Sequence, residues 1–554
     1  MDREHEAGGP DVARDAEVAM RDGVVLRADV FRPEHDPSQV LPVLLLRTPY
    51  DKSVYGALGE MWAAAGYVAV LQDTRGLHAS EGVWEPYVNE ANDSEDTIAW
   101  AAALPGTTGE VGMIGTSYVA GCALQAAVRK PPALKALAIG MTPVDTYEKF
   151  FPGGQLAKAF TVTWLLRNVA RSAAARLPDG DQLVRQMDRD YLDLLTDGYF
   201  HRPLRTFPPL HPDRREVAGY FYDWLDEHAR PDEYWERTSL RGKLANIEVP
   251  VLNVGGFYDA FAGATVETSA ELATARGADA PDHRLILGPW AHNLWGRGVG
   301  ELDLGPDAEF AVQREALGWM DRWLKGGPIA ETPPVRYFSM GDNTWRSAAA
   351  WPPPQCRAMG LHLAEGGRLT GRAEADAGFD EYVHDPFDPV PSVGGHSCCY
   401  PPQSPMGPYD QRPVESRADV LVYTGPELAR PLEVAGPVTV ELEVTSSVAD
   451  TDFVATLADV RPDGRSINLA EGIIRTQGEP GVPRRVLITL QPTAVVFGTG
   501  HRVRVDVASS NHPTYQVNPG TGGGPGDDSA PVVARQRVHH GGGARSVLTV
   551  HVVD

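Results

Sequence analysis

Two runs near the N-terminus, "LPVLLLR" and "YVAVLQD", are apolar at every consecutive position rather than at every second one. A strand of that kind has no face to give to water, so it belongs in a sheet covered on both sides. The neighbouring segments "MWAAAGY" and "DTIAWAAALPG" have helical spacing, and "VGMIGTSYVAGCALQAAVRK" and "LKALAIGMTP" repeat the strand-then-helix order. Strands alternating with helices predict an α/β domain with a largely parallel sheet. None of these runs approaches the roughly 20 apolar residues needed to cross a bilayer.

From about Thr142 to Leu240 the texture becomes purely helical, as in "QLAKAFTVTWLLRNVARSAAARL". Apolar strands resume at "IEVPVLNVGGFYDAF" and "DHRLILGPWAHN", followed by the helical "FAVQREALGWMDRWLKG". The expectation is one α/β domain, residues 1–142 and 241–350, interrupted by a helical insertion over 143–240. Beyond "AAAWPPPQ" the period becomes two: in "PVTVELEV", Val438, Val440, Leu442 and Val444 alternate with Thr439, Glu441 and Glu443. Half-buried strands separated by turns predict an all-β sandwich over 351–554.

The formal charge of −24, from 74 acidic and 50 basic residues, repels nucleic acid and anionic membrane. The charged N-terminal stretch has no apolar run of the secretory kind. The four cysteines, Cys122, Cys356, Cys398 and Cys399, are too few for a disulfide framework, and the adjacent pair lacks zinc spacing. A reducing, cytoplasmic setting is expected, with no metal and no cofactor.

In "VGMIGTSYVAG" a strand runs into Ser117 and leaves as a helix. The nucleophile elbow of α/β-hydrolases does this, with small residues two positions before and after the serine. Gly115 fits, whereas the later position is Val119. Taken alone, the segment fits a structural turn equally well. A serine also needs a histidine to take its proton and a carboxylate to orient that histidine, following in the order Ser, Asp, His after late strands. Asp259 and His292 occupy those places; Asp282 and His283 precede their strand and should fall at the opposite sheet edge. For the oxyanion, the elbow offers the backbone N–H of Tyr118. Tyr50 is either a second donor or a structural tyrosine.

"RTPYDK", "DTRGLHASEG", "GEVGMIGTSYVAG", "GGFYDAF" and "GPWAHN" resemble successive motifs of the CocE/NonD hydrolase family, which is related to the X-Pro dipeptidyl-peptidases. "TDFVATLADVRPDGRSINLAEG" and "ASSNHPTYQVNPGTGG" resemble its C-terminal jelly roll. The resemblance implies an α/β-hydrolase domain with an inserted helical cap, then the jelly roll. It implies Ser117 as nucleophile, Asp259 as acid, His292 as base, and Tyr50 with Tyr118 as the oxyanion hole. Ala120 departs from the family pattern, where a glycine is usual.

Relatives that take α-amino esters carry acids just after the catalytic Asp. Here "DAFAG" has none, so an esterase for small acyl groups is expected rather than an aminopeptidase. Phe261 should face the acyl group, and Trp164 and Leu165 either join it or fill the cap's own core. The expected partner is a small ester or amide, with a homodimer as the one macromolecular association considered. An amidase, an X-Pro-type peptidase or an acyltransferase would use the same triad. A carbohydrate-binding protein would not need Ser117.

Overall fold

Leu41–Thr48 (β4) and Val68–Asp73 (β5) are central strands of an eleven-stranded sheet, and every residue of β5 is buried. The computed structural model describes residues 3–4, 9–34, 39–194, 196–274, 282–328, 332–399, 404–524, 526 and 530–553. The other strands of this sheet are β1 (Arg3–Glu4), β2 (Asp11–Ala19), β3 (Val25–Arg32), β6 (Thr107–Thr116), β7 (Leu134–Gly140), β8 (Val251–Tyr258), β9 (His283–Ala291), β12 (Val335–Ser339) and β13 (Thr344–Ala348). A small hairpin, β10 (Gly298–Val299) and β11 (Leu302–Asp303), stands apart. The order is β1-β2-β3-β5-β4-β6-β7-β8-β9-β12-β13. Pairing is parallel from β5 to β12 and antiparallel at both ends.

The unbroken apolar runs follow from the covering layers. Val43 and Leu45 join the core that also holds Ile98 of helix α2 (Glu90–Ala102) and Ala123 of α3 (Tyr118–Ala127). Leu44 and Leu46 join the opposite core, with Trp62, Trp319 and Met320. Successive side chains of a strand point to opposite faces, so two apolar layers require an apolar residue at every position.

Between the end of β7 and the start of β8 the described residues form helices and turns only, among them Lys158–Trp164, Gly180–Asp193 and Arg215–Asp226. This insertion is held by rings: Phe150 lies 4.3 Å from Trp224 and 6.0 Å from Trp164, centre to centre.

From Cys356 onward the regular structure of the described residues is strand, in a second eleven-stranded sheet, apart from the short helix Arg412–Glu415. Val438, Val440, Leu442 and Val444 are fully buried in strand Leu432–Ser446, and Thr439, Glu441 and Glu443 are half-buried, as their alternation predicts. The two domains share one apolar core, in which Phe257, Tyr258 and Tyr337 meet Leu442, Leu490 and Phe497. Trp351 seals the seam, 5.7 Å from Phe257 and 5.3 Å from Tyr337.

Cys398 and Cys399 are bonded to each other, which the reading of their spacing did not anticipate; among the described residues, Cys122 and Cys356 take part in no disulfide. Adjacent cysteines close no loop long enough to constrain the unfolded chain, so this bond is not a framework disulfide. Among the described residues, no helix is long and apolar enough to cross a membrane.

Candidate active site

Ser117 stands where β6 turns into α3, with φ 60° and ψ −133°. Such a backbone costs on the order of 1–3 kcal/mol in a non-glycine residue and persists only where its surroundings enforce it. Here the Ser117 N–H donates to the Gly140 carbonyl at 3.0 Å, and its own carbonyl accepts from Gly121 N–H at 3.1 Å. Val119, the residue that departs from the usual elbow pattern, is accommodated by Gly115: a Cβ there would lie 2.3 Å from Val119 Cγ1 and 2.9 Å from its backbone. Ala120 joins the apolar core between α3 and the sheet.

The elbow is anchored through the side chain of Tyr118. Its hydroxyl donates to Glu90 Oε1 at 2.9 Å and accepts from Tyr87 N–H at 2.9 Å. Glu90 Oε2 in turn pairs with Arg47 at 2.6 Å, and Arg47 also donates to Ser94 at 2.7 Å and Gln72 at 2.7 Å. All of this is buried. Glu90→Ala leaves the guanidinium without its main partner and is expected to cost about 3–5 kcal/mol, read by urea unfolding. As the first helical residue of α3, Tyr118 has a backbone N–H with no intrahelical acceptor.

Tyr50 lies on the turn after β4. Its N–H donates to Thr48 Oγ1 at 3.0 Å, and the carbonyl of Pro49 accepts from His78 Nε2 at 3.0 Å. Lys52 N–H donates to Asp73 Oδ1 at 2.7 Å, while its ammonium pairs with Asp15 at 2.7 Å and Asp73 at 3.3 Å. The motif residues Asp73 and His78 thus hold the Tyr50 turn. The Tyr50 hydroxyl accepts from Trp164 Nε1–H at 3.1 Å and lies near enough to the Ser117 side chain to be influenced by it. Burial pushes its pKa above the usual tyrosine range, so the phenol keeps its proton.

Asp259 follows β8 and His292 follows β9. Asp259 Oδ1 lies 2.7 Å from His292 Nδ1, both side chains buried. A carboxylate can only accept, so Nδ1 donates, and in the neutral ring this leaves the lone pair on Nε2. Close packing holds the two strand ends together: a Cβ on Gly256 would lie 2.1 Å from the Trp290 carbonyl oxygen. The backbone of Asp259 also forms a parallel bridge to Ser397 of the C-terminal region. One turn links Ser117 to the loop that carries His292. Gly140 accepts from Ser117, and the next residue, Met141, accepts through its sulfur from Asn293 N–H at 3.2 Å, beside His292. Asp282 and His283 fall at the opposite sheet edge, where His283 pairs in register with Val251 at the start of β8. Asp282 pairs there with Arg322 at 2.9 Å.

The Phe261 ring stands edge-on to His292 at 5.6 Å and lies 6.0 Å from Phe160. Trp164 reaches the site through Tyr50. Leu165 is fully buried in the apolar cluster that runs from Tyr118 and Phe261 into the insertion. A cavity of about 520 Å³ lies beyond Phe160 and Phe261, between the insertion and the all-β domain, and neither Ser117 nor His292 lines it. Lys149 also borders this cavity. Nothing in "TYEKFFPGG" marks that lysine as buried, because lysines in short amphipathic helices ordinarily face water.

Residues 22–293 match the X-Pro dipeptidyl-peptidase (S15) family, and residues 328–549 match the C-terminal non-catalytic domain of X-Pro dipeptidyl-peptidases. The chain is 36% identical to the cocaine esterase of a Rhodococcus species, over 96% of this chain and 95% of the relative. Among solved structures, an aminopeptidase from a marine sediment thaumarchaeon superposes with a TM-score of 0.83 at 25% identity, over 98% of this chain and 97% of that one. An α-amino acid ester hydrolase does so with a TM-score of 0.82 at 25% identity, over 99% and 98%. Sequence and fold together make this chain a member of the CocE/NonD family and a serine hydrolase of the carboxylic ester class.

Proposed function

We propose that the protein hydrolyses carboxylic esters of small acyl groups through an acyl-enzyme on Ser117. The observation that carries this reading is the Gly140–Met141 turn, which ties the serine to the loop of a histidine already paired with Asp259. In this reading His292 Nε2 takes the Ser117 proton as Oγ attacks the ester carbonyl, and Asp259 stabilises the resulting imidazolium. The oxyanion forms between the Tyr50 hydroxyl and the Tyr118 N–H. The C–O bond to the alcohol breaks, the alcohol leaves with the proton held on His292, and water repeats the sequence to free Ser117 and the acid. The helical insertion acts as a cap that supplies Trp164. The all-β domain, read as a jelly roll, buttresses Asp259 through Ser397.

Tyr50→Phe is expected to lower kcat by about 10²–10³-fold with little change in KM, because one of two oxyanion donors is lost. The reading itself is tested with p-nitrophenyl acetate, butyrate and benzoate beside Gly-Pro-p-nitroanilide, on wild type and Ser117→Ala. Ser117-dependent ester cleavage with a silent anilide supports it. Ser117-dependent anilide cleavage would favour an X-Pro-type peptidase, the activity named by the matching family. That alternative requires the pocket to hold a substrate ammonium, and the residues after Asp259, Ala260 to Ala264, bring no acid to it.

A further inference from the structure

The bond between Cys398 and Cys399 constrains the unfolded chain very little, yet it adjoins a residue paired with the triad. Ser397, immediately before it, forms the parallel backbone bridge to Asp259. Cys398 is fully buried in the apolar cluster that also holds Phe261, Tyr118 and Trp164, and the half-buried Cys399 packs against that cluster. Upstream of Ser397 the segment is pinned by hydrogen bonds. Gly395 and Gly407 exchange backbone bonds of 2.8 and 2.9 Å, and His396 N–H donates to Glu471 Oε1 at 3.0 Å. Cys399 has a φ of 67°, in the left-handed region where a residue with a Cβ persists only under constraint.

A disulfide between chain neighbours closes a ring through the peptide that joins them, so it fixes both side chains and that peptide together. Once the bond is cut, each cysteine regains its own rotamers and Cys399 is free to leave the left-handed region. The bonded pair therefore secures the downstream side of the Ser397 bridge, as Gly407 and Glu471 secure the upstream side. That bridge holds the backbone of Asp259, whose Oδ1 meets His292 Nδ1 at 2.7 Å. Displacing a catalytic group by roughly 1 Å can cost about 100-fold in rate. Cys399 is the more exposed of the two cysteines, so it is the one that a thiolate reaches.

We propose that Cys398–Cys399 is a redox-active site that sets the activity of the triad: bonded, it holds Ser397 against Asp259, and reduced, it lets the bridge loosen so that turnover falls. This rests on the reading of Ser117, His292 and Asp259 as the triad. The reductant is a dithiol. Its thiolate attacks Sγ of Cys399, the Cys398–Cys399 bond breaks as a mixed disulfide forms, and Cys398 leaves as a thiolate that takes up a proton. The second thiol of the reductant then attacks the mixed disulfide, which frees Cys399 as a thiol and leaves the reductant oxidised. Two electrons and two protons pass to the pair, and exchange with glutathione disulfide returns them.

The test reduces the purified protein with a phosphine, removes the reductant, and measures kcat and KM on p-nitrophenyl butyrate together with intact mass and the urea midpoint. Wild type is compared with the double variant Cys398→Ser/Cys399→Ser. Reduced wild type should gain two hydrogen atoms and lose about 10- to 100-fold in kcat, with KM and the urea midpoint nearly unchanged, and should recover in glutathione disulfide. The double variant should stay at the reduced rate and ignore the phosphine. Four free thiols in the protein treated with glutathione disulfide would overturn the proposal, as would equal kcat in the two redox states or a phosphine response that survives in the double variant. A fall in the urea midpoint that accounts for the lost rate would make the bond structural and overturn it too. Turnover that persists in Ser117→Ala removes the esterase reading and this proposal with it, whereas a missing redox response in an enzyme that still depends on Ser117 removes the proposal alone.

Discussion

Ser117→Ala should lower kcat by about a millionfold, the scale seen when a triad nucleophile is removed, while KM and unfolding free energy change little. The magnitude follows from what remains. Without Oγ there is no acyl-enzyme, and water must attack directly with only the oxyanion donors to assist it. The structural cost is small because the elbow is held by groups other than the hydroxyl: the Gly140 carbonyl, the Gly121 amide and the Tyr118–Glu90–Arg47 chain. Alanine must still adopt the φ of 60°, so the strain remains. Steady-state rates, a missing burst of p-nitrophenol and an unchanged urea midpoint would together report this outcome. Appreciable turnover by the variant would place the nucleophile elsewhere.

Asp259→Asn should be the next most damaging change, lowering kcat by about 10⁴-fold. Asp259 Oδ1 fixes the proton of His292 on Nδ1, 2.7 Å away, and so keeps Nε2 free to accept. An asparagine that turns its amide N–H₂ toward Nδ1 favours the opposite tautomer, with Nε2 protonated and unable to take the serine proton. It also leaves the imidazolium formed in each half-reaction without a charged partner in a buried site. The fold should persist, because asparagine fills the same volume and the bridge from residue 259 to Ser397 is made by the backbone. Circular dichroism alongside kcat and KM separates loss of chemistry from loss of structure.

Much of this was legible before any coordinate. Parallel sheets covered on both faces demand uninterrupted apolar strands, which is why "LPVLLLR" and "YVAVLQD" disclosed the domain. The pairing of Asp259 with His292 could be anticipated because residues just after neighbouring parallel strands meet at one edge of the sheet, and the structure sets them 2.7 Å apart. The opposite edge position of His283 was readable for the same reason. Val119 was harder: it departs from the elbow pattern, and only the packing of its side chain over Gly115 shows how the departure is absorbed. Lys149 and the Cys398–Cys399 bond gave no usable signal. A lysine in "YEKFF" looks like a surface residue, and its burial depends on Phe160, Trp164 and Phe261, which arrive from other segments. Trp164 and Leu165 are adjacent in sequence, yet only Trp164 hydrogen-bonds to a residue beside Ser117.

The indole of Trp164 gives the helical insertion an electrical as well as a steric role. By donating to the Tyr50 hydroxyl, it occupies one lone pair of that oxygen and biases the phenol's own proton away from the indole. A rotor that would otherwise sample several directions becomes a dipole with a set orientation. A segment far from Ser117 in sequence thereby helps polarise the group proposed to meet the developing negative charge. Enclosure of a substrate and readiness for its chemistry then depend on the same contact, and an insertion displaced from the sheet would leave the three strand-end residues in place but their electrostatic surroundings unprepared.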